Sequence, residues 1–168
     1  MPISSRPGII MLDQITDQVF AAPAGISTIA TLTNLIVTAD QVLEWRFTVD
    51  QAGQPARDTV ARISLTDGVT TVDVTDWSLG IVAEGAQSFL DFRGTLYIDD
   101  NGVGGLFFVG GSSLISTPVA GTGFSLGGNN LADTVPPLSP LSLRLQFDLS
   151  GGGVNGFVSA FVSRSNTA

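Results

Sequence analysis

This chain contains no cysteine, no histidine and no lysine, and all seven of its basic residues are arginines. Without cysteine there is no disulfide, no thiolate nucleophile and no thiolate metal site. Without histidine or lysine, a serine or threonine nucleophile would have only a carboxylate as its base. Gly110-Gly111-Ser112-Ser113-Leu114 lacks the closing glycine of a nucleophile elbow, and no histidine exists to complete a triad. The glycine spacing from Gly105 to Gly110 is not followed by the lysine of a phosphate-binding loop. Charge is scarce too, at 13% of residues, and the net charge of −8 opposes binding to nucleic acid, which depends on basic clusters. No apolar run reaches the roughly 18 residues of a membrane span, so no membrane partner is expected. The apolar stretch Ile9–Leu12 is too short for the core of a signal peptide, which predicts synthesis in the cytoplasm and use as made. No catalytic residue, cofactor or metal is expected.

What is present is strand composition. The chain has 168 residues, enough for one domain with a real core, and 43% are apolar. Twenty glycines suit many short strands joined by tight turns. The clearest unit runs from Gln87 to Gly111. Leu90, Phe92, Leu96 and Ile98 recur with a period of two, Gly94 standing in the same stripe, while Phe89, Asp91, Arg93, Thr95 and Tyr97 take the opposite face. Asp100-Asn101-Gly102 supplies a hairpin turn, Leu106-Phe107-Phe108-Val109 returns, and Gly110-Gly111 is expected to end the strand.

The same alternation recurs elsewhere. Leu43, Trp45, Phe47 and Val49 alternate with Glu44, Arg46, Thr48 and Asp50. Thr59–Thr66 and Val69–Asp76 form a hairpin about Asp67-Gly68, and Trp77–Ala83 reads as a further strand. Ser112–Leu131 reads as loose, with a short strand at Gly123–Leu126, and the prolines of 133–140 as a rigid connector. Leu143, Leu145, Phe147 and Leu149 share one face, and the last strand carries Val158, Ala160 and Val162 on one face and Phe157 and Phe161 on the other. The expected fold is an all-β, two-sheet antiparallel β-sandwich, jelly-roll-like, with eight to ten strands. Residues 1–20 are expected as an N-terminal arm leading into a strand, and 21–168 as a single sandwich domain. The predicted core is Leu43, Phe47, Ile63, Leu65, Leu90, Phe92, Leu96, Ile98, Leu143, Leu145 and Phe147.

A few residues carry chemistry worth weighing. Glu84, beside Val82 and Ala83, is the one carboxylate placed to act as half of a glycoside-cleaving pair, although a carboxylate in a turn needs no such role. Asp99-Asp100-Asn101-Gly102 offers oxygens to calcium but lacks EF-hand spacing, and the hairpin turn accounts for it. Arg46, Arg93 and Arg144 each stand opposite their strand's apolar stripe, sharing that face with Glu44 and Asp50, with Asp91, and with Asp148. They read either as surface ion pairs or as bidentate contacts at a subunit interface.

Three stretches resemble the β-sandwich modules, tumour-necrosis-factor-like or jelly-roll, of tailed-phage virion proteins. They are Ala30–Val49 ("ATLTNLIVTADQVLEWRFTV"), Phe92–Gly110 ("FRGTLYIDDNGVGGLFFVG") and residues 141–164 ("LSLRLQFDLSGGGVNGFVSAFVSR"). The resemblance implies a non-enzymatic virion structural protein of a tailed bacteriophage, a capsid decoration or spike or a tail-fibre module, made in the host cytoplasm and forming a homotrimer. The apolar outer face of the last strand and the doubly apolar return place Phe157, Phe161, Leu106, Phe107 and Phe108 at the expected oligomer interface. The N-terminal arm is expected to hold other virion proteins. The alternative is a carbohydrate- or receptor-binding module using Trp77 and Tyr97, Trp45 being expected in the core.

Overall fold

The computed structural model describes residues 9–36, 41–52, 57–82, 88–99, 106–117, 121–125 and 140–165, with backbone alone at 41, 52, 57–59, 74–82, 88, 96–99, 106–117, 121–125 and 165. Ten strands follow in order: β1 Ile9–Ala22, β2 Gly25–Leu35, β3 Gln41–Ala52, β4 Arg57–Thr66, β5 Thr71–Val82, β6 Ser88–Asp99, β7 Leu106–Thr117, β8 Gly121–Ser125, β9 Leu141–Leu149 and β10 Val154–Ser165. They form two sheets, one in the order β1-β10-β3-β6-β7-β8 and the other β2-β9-β4-β5. Every pairing is antiparallel.

This order has a simple origin. The chain pairs with itself as one long ribbon, β1 with β10, β2 with β9, β3 with β6 and β4 with β5. The ribbon is then rolled, so that β10 lies beside β3 and β9 beside β4. That winding is a jelly roll of eight strands in two four-stranded sheets. The β7–β8 hairpin is added to it, extending the first sheet beyond β6.

Alternation explains why these strands stack. In β9 every odd position from Leu141 to Leu149 is buried, while the residues between are half-buried. Leu43, Trp45, Phe47 and Val49 of β3, Leu90 and Phe92 of β6, and Val158, Ala160 and Val162 of β10 meet them from the other sheet. The core is thus the slab between two inner faces. Each fully buried Leu, Val or Phe contributes about 1.5–3 kcal/mol of burial. Gly94 stands directly across from Trp45 in the paired strands, so the indole meets no side chain there. Gly156 is required for a different reason: a Cβ at that position would collide with the Asp50 carbonyl oxygen. Of the eleven expected core residues, nine are buried. Leu96 and Ile98 lie in β6, at positions where only the backbone is described.

Three elements differ from the sequence reading. Residues 9–20, assigned to the arm, form most of β1, the outer strand of the larger sheet; residues 1–8 lie outside the described residues. β1 breaks register twice, between Met11 and Asp13 and between Ile15 and Gln18, and those bulges disrupt the period that would mark it as a strand. Gly110-Gly111 does not end its strand: β7 runs on to Thr117, pairing as far as Ser116 with Phe89. Ladder hydrogen bonds come from the backbone, so glycine and serine continue a strand that side-chain periodicity cannot reveal. Trp77 lies within β5 rather than opening a strand of its own. The turn at Asp67-Gly68 is as expected in kind, with Gly68 at φ 91° and the Asp67 carboxylate accepting from the amides of Val69 and Thr70. Asp100-Asn101-Gly102 lies outside the described residues.

One side chain fastens the sheets at their open side. A bulge between Leu32 and Leu35 takes Thr33 out of the β2–β9 ladder. Asp13 of β1 accepts from both the Thr33 amide and its hydroxyl, and also from the Gln14 amide. Asp13→Ala is expected to cost about 1–2 kcal/mol, the range for charge-assisted hydrogen bonds reduced by solvent exposure. Urea denaturation of the two proteins measures it, and Asp13→Asn, which keeps an acceptor, should recover part of the loss.

Candidate functional site

The outer face of the larger sheet is where unexplained side chains gather. Register sets them in rows across the strands. Val19, Phe157, Asp50 and Phe89 form one row from β1 to β6. Its three apolar members are exposed at 71%, 51% and 42% for Val19, Phe157 and Phe89. A shallow cavity of about 420 Å³ opens beside it, bordered by Val19, Asp50, Asn155 and Phe157. Two residues further along, Ser159 and Thr48 lead to Asp91. Ser159 also closes the β1 bulge, accepting from the Asp17 amide and donating to its carboxylate.

The next row holds Gln14, Phe161, Arg46 and Arg93. Two arginines directly opposite each other would repel, and Asp91 resolves this. Its carboxylate accepts Nε of Arg46 at 2.8 Å and Nη2 at 2.9 Å, and Nη2 of Arg93 at 2.8 Å. The aspartate is only 2% exposed although it lies on an outer face, because the two guanidinium groups cover it; they remain 41% and 57% exposed themselves. The hydrogen bonds that Arg46 donates to Asp91 hold the Arg46 pKa above its usual value; partial burial opposes this and the carboxylate's charge adds to it. Arg46 thus stands in the cluster as a charged guanidinium. Two cations on one anion leave a surplus positive charge, locked in place.

Phe161 and Arg46 form a ridge with a cavity on each side. One, of about 270 Å³, is bordered by Gln14, Thr16, Thr48 and Ser159. The other, of about 300 Å³, is bordered by Glu44, Arg93 and Thr95.

Sequence reasoning found some of this arrangement. Phe157 is exposed as expected, and Phe161 is half-buried on the same face. Leu106, Phe107 and Phe108 pair with Asp99, Ile98 and Tyr97, while the Phe157 row reaches β7 at Ser116. Eight residues separate Phe108 from Ser116, roughly 26 Å along a strand, so the return and the Phe157 row stand apart on the sheet. Val19 and Phe89 are the apolar residues that share the row of Phe157. Arg46 pairs with Asp91 rather than with the acids of its own strand, and among the described residues no ion pair involves Arg144. Trp45 is core. Trp77, Tyr97 and Asp99 lie where only the backbone is described, and Glu84 lies outside the described residues. Among the described residues no group of three or more carboxylates could hold a metal ion.

No family model matches the chain, and no curated protein does. Among solved structures it is similar to peanut lectin with a 9mer peptide, at 8% identity and TM-score 0.40, covering 98% of this chain and 100% of that one. A structure of infectious bursal disease virus, Gt strain, shows 17% identity and TM-score 0.39 over 96% of this chain and 42% of the other. Lectin I-B4 from Griffonia simplicifolia, metal-free, shows 9% identity and TM-score 0.35 over 98% and 93%. At such similarity the strand order of the chain itself, not kinship, identifies the fold.

Proposed function

We propose that this chain is a non-enzymatic virion structural protein of a tailed bacteriophage, a capsid decoration or spike or a tail-fibre module, that assembles as a homo-oligomer through the outer face of its larger sheet. The observation that carries the reading is the exposed row Val19–Phe157–Phe89, three large apolar side chains aligned across strands on a face that a monomer leaves in water. The occupant is a second copy of the chain. The same face carries both signs of charge, Asp50 within the row and the surplus of Arg46 and Arg93 beyond it, so it can complement itself. Its trimeric number and its place on a virion come from the resemblance of residues 30–49, 92–110 and 141–164 to phage modules. The jelly-roll winding suits that role, by analogy of fold alone. Residues 1–8 would serve as the anchor to other virion proteins.

Light scattering tests the assembly. The wild type should run at about three times the chain mass, and Phe157→Asp with Phe89→Asp should run as a folded monomer. A monomeric wild type would overturn the reading. The second reading, a carbohydrate-binding module, draws on the cavity beside Phe161.

A further inference from the structure

We infer that the cavity between Phe161, Arg46 and Arg93 is a binding site for an acidic sugar, a monosaccharide unit bearing a carboxylate. This rests on the second, sugar-binding reading and names its site and ligand class.

The donors come first. Arg93 gives only Nη2 to Asp91, and Arg46 gives Nε and Nη2, so among the described residues the Nη1 groups of both arginines and Nε of Arg93 are left to donate. The arginines stand opposite each other across β3 and β6, and a buried carboxylate fixes both. Guanidinium groups already held in place lose little freedom on binding and present the planar fork that matches a carboxylate. Glu44 offsets the surplus charge of the cluster, so it is the unused guanidinium donors, not net charge, that make a carboxylate the fitting guest.

The rest of the lining selects which anion. Glu44 and Thr95 stand opposite each other in the row after the arginines and border the same cavity. A phosphate or sulfate, whose charge is spread over every oxygen, would meet the Glu44 carboxylate as a like charge, whereas a sugar can set its one carboxylate on the arginines and turn neutral hydroxyls towards Glu44. A sugar instead offers hydroxyls, for which Glu44 is an acceptor and Thr95 both acceptor and donor. Phe161, in the arginine row on the next strand, supplies an apolar ring against which the C–H face of a pyranose can lie. The hollow, of about 300 Å³ and open to water, has room for about one sugar residue rather than a chain. The arginine row lies four residues along β10 from Phe157, about 13 Å away and outside the apolar row; because the oligomer reading turns the same arginines towards a second copy, the sugar site is an alternative to that contact.

Calorimetric titration of the intact protein with glucuronate, N-acetylneuraminate, glucose and inorganic phosphate tests this. The two acidic sugars should bind with a Kd of about 1 mM, and glucose and phosphate at least about tenfold more weakly. Arg93→Gln should lose about tenfold in affinity for glucuronate, and Phe161→Leu several-fold, while Arg62→Gln, a cation on the other sheet, leaves binding unchanged. Melting curves confirm that each variant is folded. Phosphate binding as well as glucuronate would make this a general anion site and overturn the assignment. Glucose binding alone would leave the sugar-binding reading standing and remove the arginine site from it. No sugar binding at all would remove both.

Discussion

Truncating Phe147 to alanine is expected to destabilise the protein by about 3–5 kcal/mol, the range for emptying a buried aromatic site. Phe147 is fully buried in β9, the strand between β2 and β4 in the smaller sheet. Its partners across the ladder are Ser27 on one side and Ala61 on the other. Both are small, so the phenyl ring fills the space that they leave, and neither can expand into a cavity. The ring also meets Phe20 edge-on, with centroids 6.1 Å apart, a contact that would be lost in addition to the buried area. The loss should therefore fall in the upper part of the range. Guanidinium denaturation would show it as a lower midpoint at constant slope. Val69→Ala, at a fully exposed turn position, should stay within about 0.5 kcal/mol of the wild type. A loss below about 1.5 kcal/mol at Phe147 would mean that the two sheets are not packed as described.

The second large effect is at the Arg46–Asp91–Arg93 cluster, and its signature is non-additivity. Arg46→Ala alone leaves Asp91 with Arg93, and Arg93→Ala leaves it with the bidentate Arg46. Each should cost about 1–2 kcal/mol, with Arg46 the larger because it makes two bonds. The double variant removes both covers, so water reaches the Asp91 carboxylate and replaces part of the lost bonding; it should cost about 2–3 kcal/mol, less than the sum of the two single losses. Asp91→Leu should cost less than the double variant, since the two arginines left behind are half-exposed and can turn to water. Thermal or urea unfolding of the four proteins closes the cycle. Additive losses would show that the two arginines hold Asp91 independently of each other.

Much of the fold is legible in residue order. The period-two stripes of Leu43–Val49, Leu90–Phe92 and Leu141–Leu149 mark strands and also identify their inner faces, because a side chain one residue out of phase would point into water. Asp67-Gly68 marks its turn because few other residues accept the backbone angles there. The signal fails where side chains stop reporting on backbone. β1 is an outer strand whose two bulges shift its phase, so Ile9–Phe20 reads as an arm. The glycines and serines of β7 pair through backbone groups that every residue possesses.

The candidate site is less legible. That Arg46, Arg93 and Phe157 face away from the core follows from alternation alone. A pair of arginines facing out on two strong strands, with an acid two residues before one of them, is the available hint of Asp91 as their shared partner.

The class of structure, the buried side of most strands and the absence of thiol, imidazole and amine side chains all follow from residue order. Those are properties of single residues and of near neighbours, and local order carries them completely. Which strands lie side by side is settled by the folding of the whole chain. Rolling the ribbon brings β10 against β3 across more than a hundred residues of chain, and the register of that contact is what sets Phe161 beside Arg46 and Phe157 beside Asp50. Ladder hydrogen bonds are alike at every position, so they leave no mark in the local sequence. The choice of register belongs to the packing of the two inner faces as a whole.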